Sequence, residues 1–236
     1  MPLPEIVTPE YSTKLPSTGE EIFFRPFLVK EEKMLLMAQE GQDKKEITNA
    51  VVKVISNCVK TPLEVKQLPI VDVEWIFLQL RARSVSEVIE LNLRHTKEGC
   101  DHLNKIVVPI QDIKVNIPEG HSNILMINED AGLGMKLRYP NLDLTDKVDV
   151  TSAKSEELFE LITLCIENIF DKDNVYNDYT KQELDDFVGE LPKEFLDKFM
   201  KFFTTMPKVS YDLEYECENC KEKVTHKLNG LMDFFL

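Results

Sequence analysis

The sequence predicts an α+β fold in which helical blocks flank a central antiparallel β region and a zinc-ribbon-like hairpin closes the chain. Three observations carry this. Apolar residues recur at helical spacing over 29–84 and again over 151–207. Between those blocks, residues 85–150 change to a period of two. The last segment, 208–236, alternates like a strand and then sets Cys217 and Cys220 two residues apart in "YECENCKEK".

Residues 1–28 form an N-terminal hairpin, because Tyr11 to Leu15 and Glu21 to Phe27 flank the turn formers Pro16-Ser17-Thr18-Gly19. The first helical block opens near Val29 with "KEEKMLLMAQE", whose early acids suit a helix N-terminus. Ile47, Val51, Val54, Ile55 and Cys58 then share one helical stripe. On that stripe Cys58 reads as a small buried apolar residue rather than a reactive thiol. Pro69 stands where a first helical turn tolerates it. Ile70, Val73, Ile76, Phe77 and Leu80 make the next stripe, with Trp75 at the core edge.

In the β-rich region, "SEVIELNLRH" and "NKIVVPIQDIKVNIPEG" read as strands across a polar tip, "TKEGCDHL". "NILMIN" and "LGMKLRYP" read as two more strands across "EDAG". Helices return over "SEELFELITLCIENIF", with Ser155 as N-cap and Leu158, Leu161, Ile162, Cys165 and Ile169 as the buried stripe. "DKDNVYNDYT" is a solvated connector that lacks the glycine and closing glutamate of a calcium loop. Thr180 and Glu183 give a capping box. Phe195, Leu196, Phe199, Phe202 and Phe203 follow at helical spacing, as a core stripe, the alternative being a helix-in-groove partner site. The hairpin of 208–236 is expected to pack on the β-rich region. Phe234, Phe235 and Leu236 either dock back on the core or mark a partner site.

Composition narrows the function. The 236 residues hold 42 acidic against 28 basic side chains, a formal net charge of −14. Phosphate backbones and anionic lipids repel such a chain, so neither nucleic acid nor a membrane is an expected partner. The N-terminus shows no signal-peptide pattern, and no apolar run reaches spanning length. Five cysteines are too few, and odd in number, for a disulfide scaffold, so a reducing cytoplasm is the expected setting. No nucleotide-binding, metalloprotease, hydrolase or EF-hand pattern is present, and no enzyme activity is expected.

The candidate site lies in two polar hairpin tips. A zinc ribbon uses two such tips, each giving a ligand pair to one tetrahedral ion. Cys217 and Cys220 form a competent pair; the other tip offers His95, Cys100 and His102 at spacings unlike the usual knuckle. The predicted metal set is Cys217, Cys220, Cys100 and His95. The competing reading is a hairpin kept without its metal. A redox pair is disfavoured, because the segment after Cys220 reads as a strand and not as the helix that lowers a thiol pKa. His226 stands in reserve as a substitute ligand, and His121 reads as a loop histidine without chemistry.

Five stretches in order, "LPSTGEEIFFRPFLVKEEKMLLMA", "LPIVDVEWIFLQLRARSVSEVIEL", "MKLRYP", "FLDKFMKFFTTMP" and "LNGLMDFFL", resemble the baseplate hub subunit, or hub assembly protein, of T4-type contractile-tailed bacteriophages. The resemblance runs from about Leu15 to Leu236. It implies a non-enzymatic late protein of tail morphogenesis that helps to assemble the central hub. Its partners would be other baseplate hub proteins, met in the infected cell's cytoplasm. Retention in the virion, or release as a chaperone, is left open. The resemblance also implies cysteine pairs in one or both hairpins. Cys217 and Cys220 match the C-terminal pair, whereas His95 and Cys100 stand where the other would be. The alternative function is a zinc-ribbon adaptor binding nucleic acid or another protein, against which the acidic balance weighs.

Overall fold

Pro16 to Gly19 close the hairpin that their turn chemistry predicts. This computed structural model describes residues 7–41, 43–145, 155–230 and 233. The elements run β1 (Tyr11–Lys14), β2 (Glu21–Phe24), α1 (Val29–Gly41), α2 (Lys44–Cys58), α3 (Ile70–Ser84), β3 (Val88–Lys97), β4 (Cys100–Pro109), β5 (Lys114–Asn116), β6 (Ile124–Asn128) and β7 (Leu133–Leu137). They continue with α4 (Leu142–Thr145), α5 (Ser155–Cys165), β8 (Ile166–Phe170), β9 (Val175–Tyr176), α6 (Lys181–Gly189), α7 (Glu194–Thr205), β10 (Lys208–Glu216) and β11 (Lys223–Asn229). The chain divides into two compact units, one made of the described residues within 1–116 and 208–236, the other of those within 117–207. Among the described residues, no single central β region forms. The strands make four small antiparallel sheets, β1-β2, β11-β10-β5, β3-β4 and β6-β7-β8-β9, and the β-rich stretch 85–150 is shared between the units.

In the first unit, Asp43 caps α2 by accepting from Lys45 N–H at 2.8 Å. The stripe of Ile47, Val51, Val54, Ile55 and Cys58 is buried. Burial pushes the Cys58 thiol up to about 11, which makes it a packing residue. Pro69 takes the cap position of α3, one residue before the first turn. That helix is buried on two sides: Val71 and Leu78 join a cluster with Ile89, Leu91, Val108, Val209 and Leu213 of the strands. Trp75 packs at the edge of this cluster and donates from Nε1 to Thr13 Oγ1 at 3.0 Å.

Strands β3 and β4 pair over their whole length, Val88 opposite Pro109 and Lys97 opposite Cys100. The expected loop "TKEGCDHL" therefore shrinks to Glu98 and Gly99, because strand pairing carries the alternation out to the tip. Gly99, at φ +82°, permits the reversal. The predicted continuation after Pro109 breaks at a 3-10 turn, Ile110–Asp112, and β5 leaves to pair with β10.

In the second unit, the helix predicted through Phe170 stops at Cys165. "IENIF" becomes β8, pairing with β7 at Met135–Ile169 and Gly134–Phe170. Its two isoleucines and phenylalanine are residues that strands favour, and pairing with β7 holds the segment extended. A side chain at Gly134 would meet the Phe170 ring at 2.6 Å, so the glycine admits that pairing. Leu161, Ile162 and Cys165 of α5 are buried as predicted, and they share one core with Phe195, Phe199, Phe202 and Phe203 of α7. The Thr180–Glu183 capping box is formed. The proposed Ser155 cap contact and Phe234 to Leu236 lie outside the described residues. Among the described residues, no helix is long and apolar enough to cross a membrane.

Candidate metal centre

The site grows out of the core rows of two hairpins. On β3 the inward row runs Ile89, Leu91, Leu93, His95; on β4 it runs Val108, Ile106, Asn104, His102, Cys100. On β10 it runs Val209, Leu213, Tyr215 and then Cys217. The period of two that buries aliphatic side chains lower in each hairpin aims nitrogen and sulfur at one point near the tips.

His95, Cys100, Cys217 and Cys220 meet there, each offering a ligand atom within 4.8 Å of the others. Cys100 Sγ lies 3.8 Å from Cys217 Sγ, and Cys220 Sγ lies 3.5 Å from His95 Nδ1. A tetrahedral zinc ion with ordinary bond lengths sets sulfur pairs about 3.8 Å apart and sulfur–nitrogen pairs about 3.6 Å apart. The donor set fits that ion. Three thiols and an imidazole are soft to borderline ligands, which select zinc over magnesium or calcium. A disulfide needs sulfurs about 2 Å apart, and all five cysteines are free.

The C-terminal knuckle is held by Cys217 N–H donating to Glu222 O at 2.8 Å and Lys221 N–H donating to Cys217 O at 2.9 Å. Lys221 sits at φ 61°, a left-handed conformation that costs a non-glycine residue about 1–2 kcal/mol. The tight turn imposes it. Asn104, fully buried, ties the tips together: its Oδ1 accepts from Glu218 N–H at 2.9 Å. Asn219 Nδ2 donates to Cys100 Sγ at 3.5 Å. Glu222 accepts from Lys97 Nζ at 2.8 and 2.9 Å and lies 3.7 Å from His95 Nε2. The imidazole thus turns Nδ1 to the sulfurs and Nε2 to a carboxylate, the orientation seen in carboxylate–histidine–metal arrangements.

These contacts divide the thiols. Backbone N–H of Cys220 bonded to its sulfur, helped by Asn219 N–H and His95, brings Cys217 down to about 6 against the cost of burial. Cys100 keeps its proton more tightly than usual: the Asn219 bond lowers its pKa, but burial and the neighbouring Cys220 and Cys217 sulfurs outweigh it. Four protein donors would fill a tetrahedral shell around such an ion, the ligand count of structural rather than catalytic zinc sites. The CxxC stands between two strands, without the helix of a redox pair.

His102 shares the inward face but turns its Nε2 to Glu218 Oε2 at 3.5 Å. His226 is exposed on β11, opposite Leu213, and outside the cluster. Sequence reasoning missed Asn104 and Glu222. A buried polar residue on an apolar row was the signal for Asn104; nothing local marks Glu222.

A family model described as T4 bacteriophage base plate protein matches residues 8–236. No curated protein and no solved structure matches the chain.

Proposed function

Because the chain belongs to the T4 bacteriophage base plate protein family, we propose that it assembles the central hub of the baseplate through contacts with other hub proteins, and that it catalyses no reaction. One zinc ion, held by His95, Cys100, Cys217 and Cys220, staples the two hairpins into a rigid element of that scaffold. The observation that carries the zinc reading is the convergence of four donors, from chain positions up to 125 residues apart, within 4.8 Å of one another. Metal binding would then contribute directly to folding of the tips. The assembly takes place in the host cytoplasm, and the protein stays with the tail.

Four experiments test this. Elemental analysis of protein purified without chelator should give one zinc per chain; its absence rejects the staple. Mixing with purified hub proteins should shift this chain to a larger species on a sizing column. Failure with every hub protein rejects the assembly role, and a turnover reaction that one substitution abolishes rejects the non-enzymatic reading. Mass spectrometry of purified particles decides retention in the tail.

A further inference from the structure

We propose that the groove between β8–β9 and α6 docks a partner polypeptide segment that presents an aliphatic or aromatic side chain flanked by Lys or Arg. The cavity is about 440 Å³, a size that takes one or two large side chains. Its floor is apolar: Leu133, Ile169, Leu184 and Phe187. Its rim carries three carboxylates, Asp171, Asp178 and Glu183.

None of the three is in an ion pair among the described residues. The basic side chains on either side are engaged elsewhere: Lys181 pairs with Glu160 at 3.8 Å, and Lys172 donates to the Asp130 carbonyl. Residues 171–190 hold seven acidic against two basic side chains. The walls are fixed before any partner arrives. Asp171 Oδ1 accepts from Asp173 and Asn174 N–H, each at 2.8 Å, and its Oδ2 accepts from Tyr176 O–H at 2.7 Å. Tyr179 O–H donates to Glu167 O at 3.3 Å, and Glu183 is held in the α6 capping box. Asp178 is exposed and has no partner among the described residues. At the lip, β9 is an edge strand whose Val175 is 63% exposed and Tyr176 46%.

An apolar floor inside an anionic rim without ion-pair partners selects an occupant that is apolar at its centre and cationic at its ends. It rejects the phosphates of nucleic acid or anionic lipid. Preorganised walls lower the ordering cost of binding. Only the choice of a polypeptide as occupant rests on the assembly role.

The test uses the full chain, isotopically labelled, titrated at low salt with acetyl-Lys-Leu-Phe-Lys-amide and with acetyl-Glu-Leu-Phe-Glu-amide. The basic peptide should shift amide resonances within 169–187 and bind at least about tenfold more tightly than the acidic one. Asp178→Lys, at an exposed position, should abolish the shifts and leave the rest of the spectrum in place; Phe187→Ala should weaken them. Absent shifts, or equal shifts from both peptides, overturn the proposal. So does a concentration-dependent dimer that Asp178→Lys dissolves, which would assign the groove to a second copy. Hub proteins that bind wild type and Asp178→Lys equally remove the groove and leave the assembly role standing. Peptide docking without any hub interaction does the reverse.

Discussion

The sulfurs of Cys100 and Cys217 stand 3.8 Å apart although 117 residues separate them in the chain. Neither hairpin needs the other for its own hydrogen-bond ladder. What joins their tips is a set of side-chain contacts: Cys100 with Cys217, Cys220 with His95, Asn104 with Glu218, Asn219 with Cys100, His102 with Glu218, and Glu222 with Lys97 and His95. On the proposed function, an ion held among these groups would supply much of the tips' rigidity.

Cys217→Ser and Cys100→Ser should therefore each release zinc and raise amide hydrogen exchange in residues 93–104 and 213–226. Exchange in β6 to β8 should not change, since those strands belong to the other unit. Cys58→Ala should keep full zinc content, because Cys58 is buried in the α2 stripe. Unchanged exchange at both tips after zinc removal rejects the staple.

Glu222→Gln should lower zinc affinity about 10-fold or more, the usual cost of losing a carboxylate behind a ligating histidine. The carboxylate is 3.7 Å from His95 Nε2 and is held by Lys97. Competition with a chromophoric chelator reads the affinity directly. His102→Gln serves as the control, because His102 lies outside the cluster, and it should leave affinity unchanged.

Much of this was legible in the sequence, and the failures share a cause. Stripes such as Ile47 to Cys58 and Phe195 to Phe203 are local signals, and the structure buries them as read. Ile166 to Phe170 was misread as helix because its apolar residues continue the spacing of α5, and only pairing with β7 makes it a strand. The tip at Glu98 and Gly99 was overestimated because polar residues at a strand end look like loop until their partners are known. At the candidate centre, ligand types were readable from two polar tips. Their convergence, and the support from Asn104 and Glu222, depends on packing between segments distant in the chain.

Asp72 predicts a pH dependence in the first unit. Its carboxylate is buried and accepts from Ser17 N–H at 2.9 Å and from the Ser17 hydroxyl. Burial raises its pKa, and the Ser17 bonds only partly offset this. The folded state thus holds the proton to higher pH than the unfolded chain. Its contribution is full below the ordinary carboxylate value of about 3.9 and declines as pH rises through the raised folded value. In chemical denaturation, wild type should lose stability relative to Asp72→Asn from pH 4 to pH 7. Parallel curves would refute this.

His121 gives the opposite slope in the second unit, through a hydrogen-bond chain that fixes its tautomer. Thr205 O–H donates to Lys201 O at 2.7 Å, so its oxygen accepts from His121 Nδ1–H at 2.9 Å. Nε2 is left to accept from Tyr139 O–H at 2.9 Å, while the ring stacks on Phe202 with centroids 5.6 Å apart. A proton on Nε2 would destroy that last acceptor, and burial lowers the His121 pKa. The unfolded chain therefore binds this proton first. Stability is full above the ordinary histidine value of about 6.5 and is lost as pH falls through the depressed folded value. His121→Phe keeps the stack and loses both hydrogen bonds. It should cost about 1–3 kcal/mol at pH 7.5 and flatten the dependence between pH 7 and pH 5. A wild-type stability that does not decline across that interval would remove the neutral tautomer from this account.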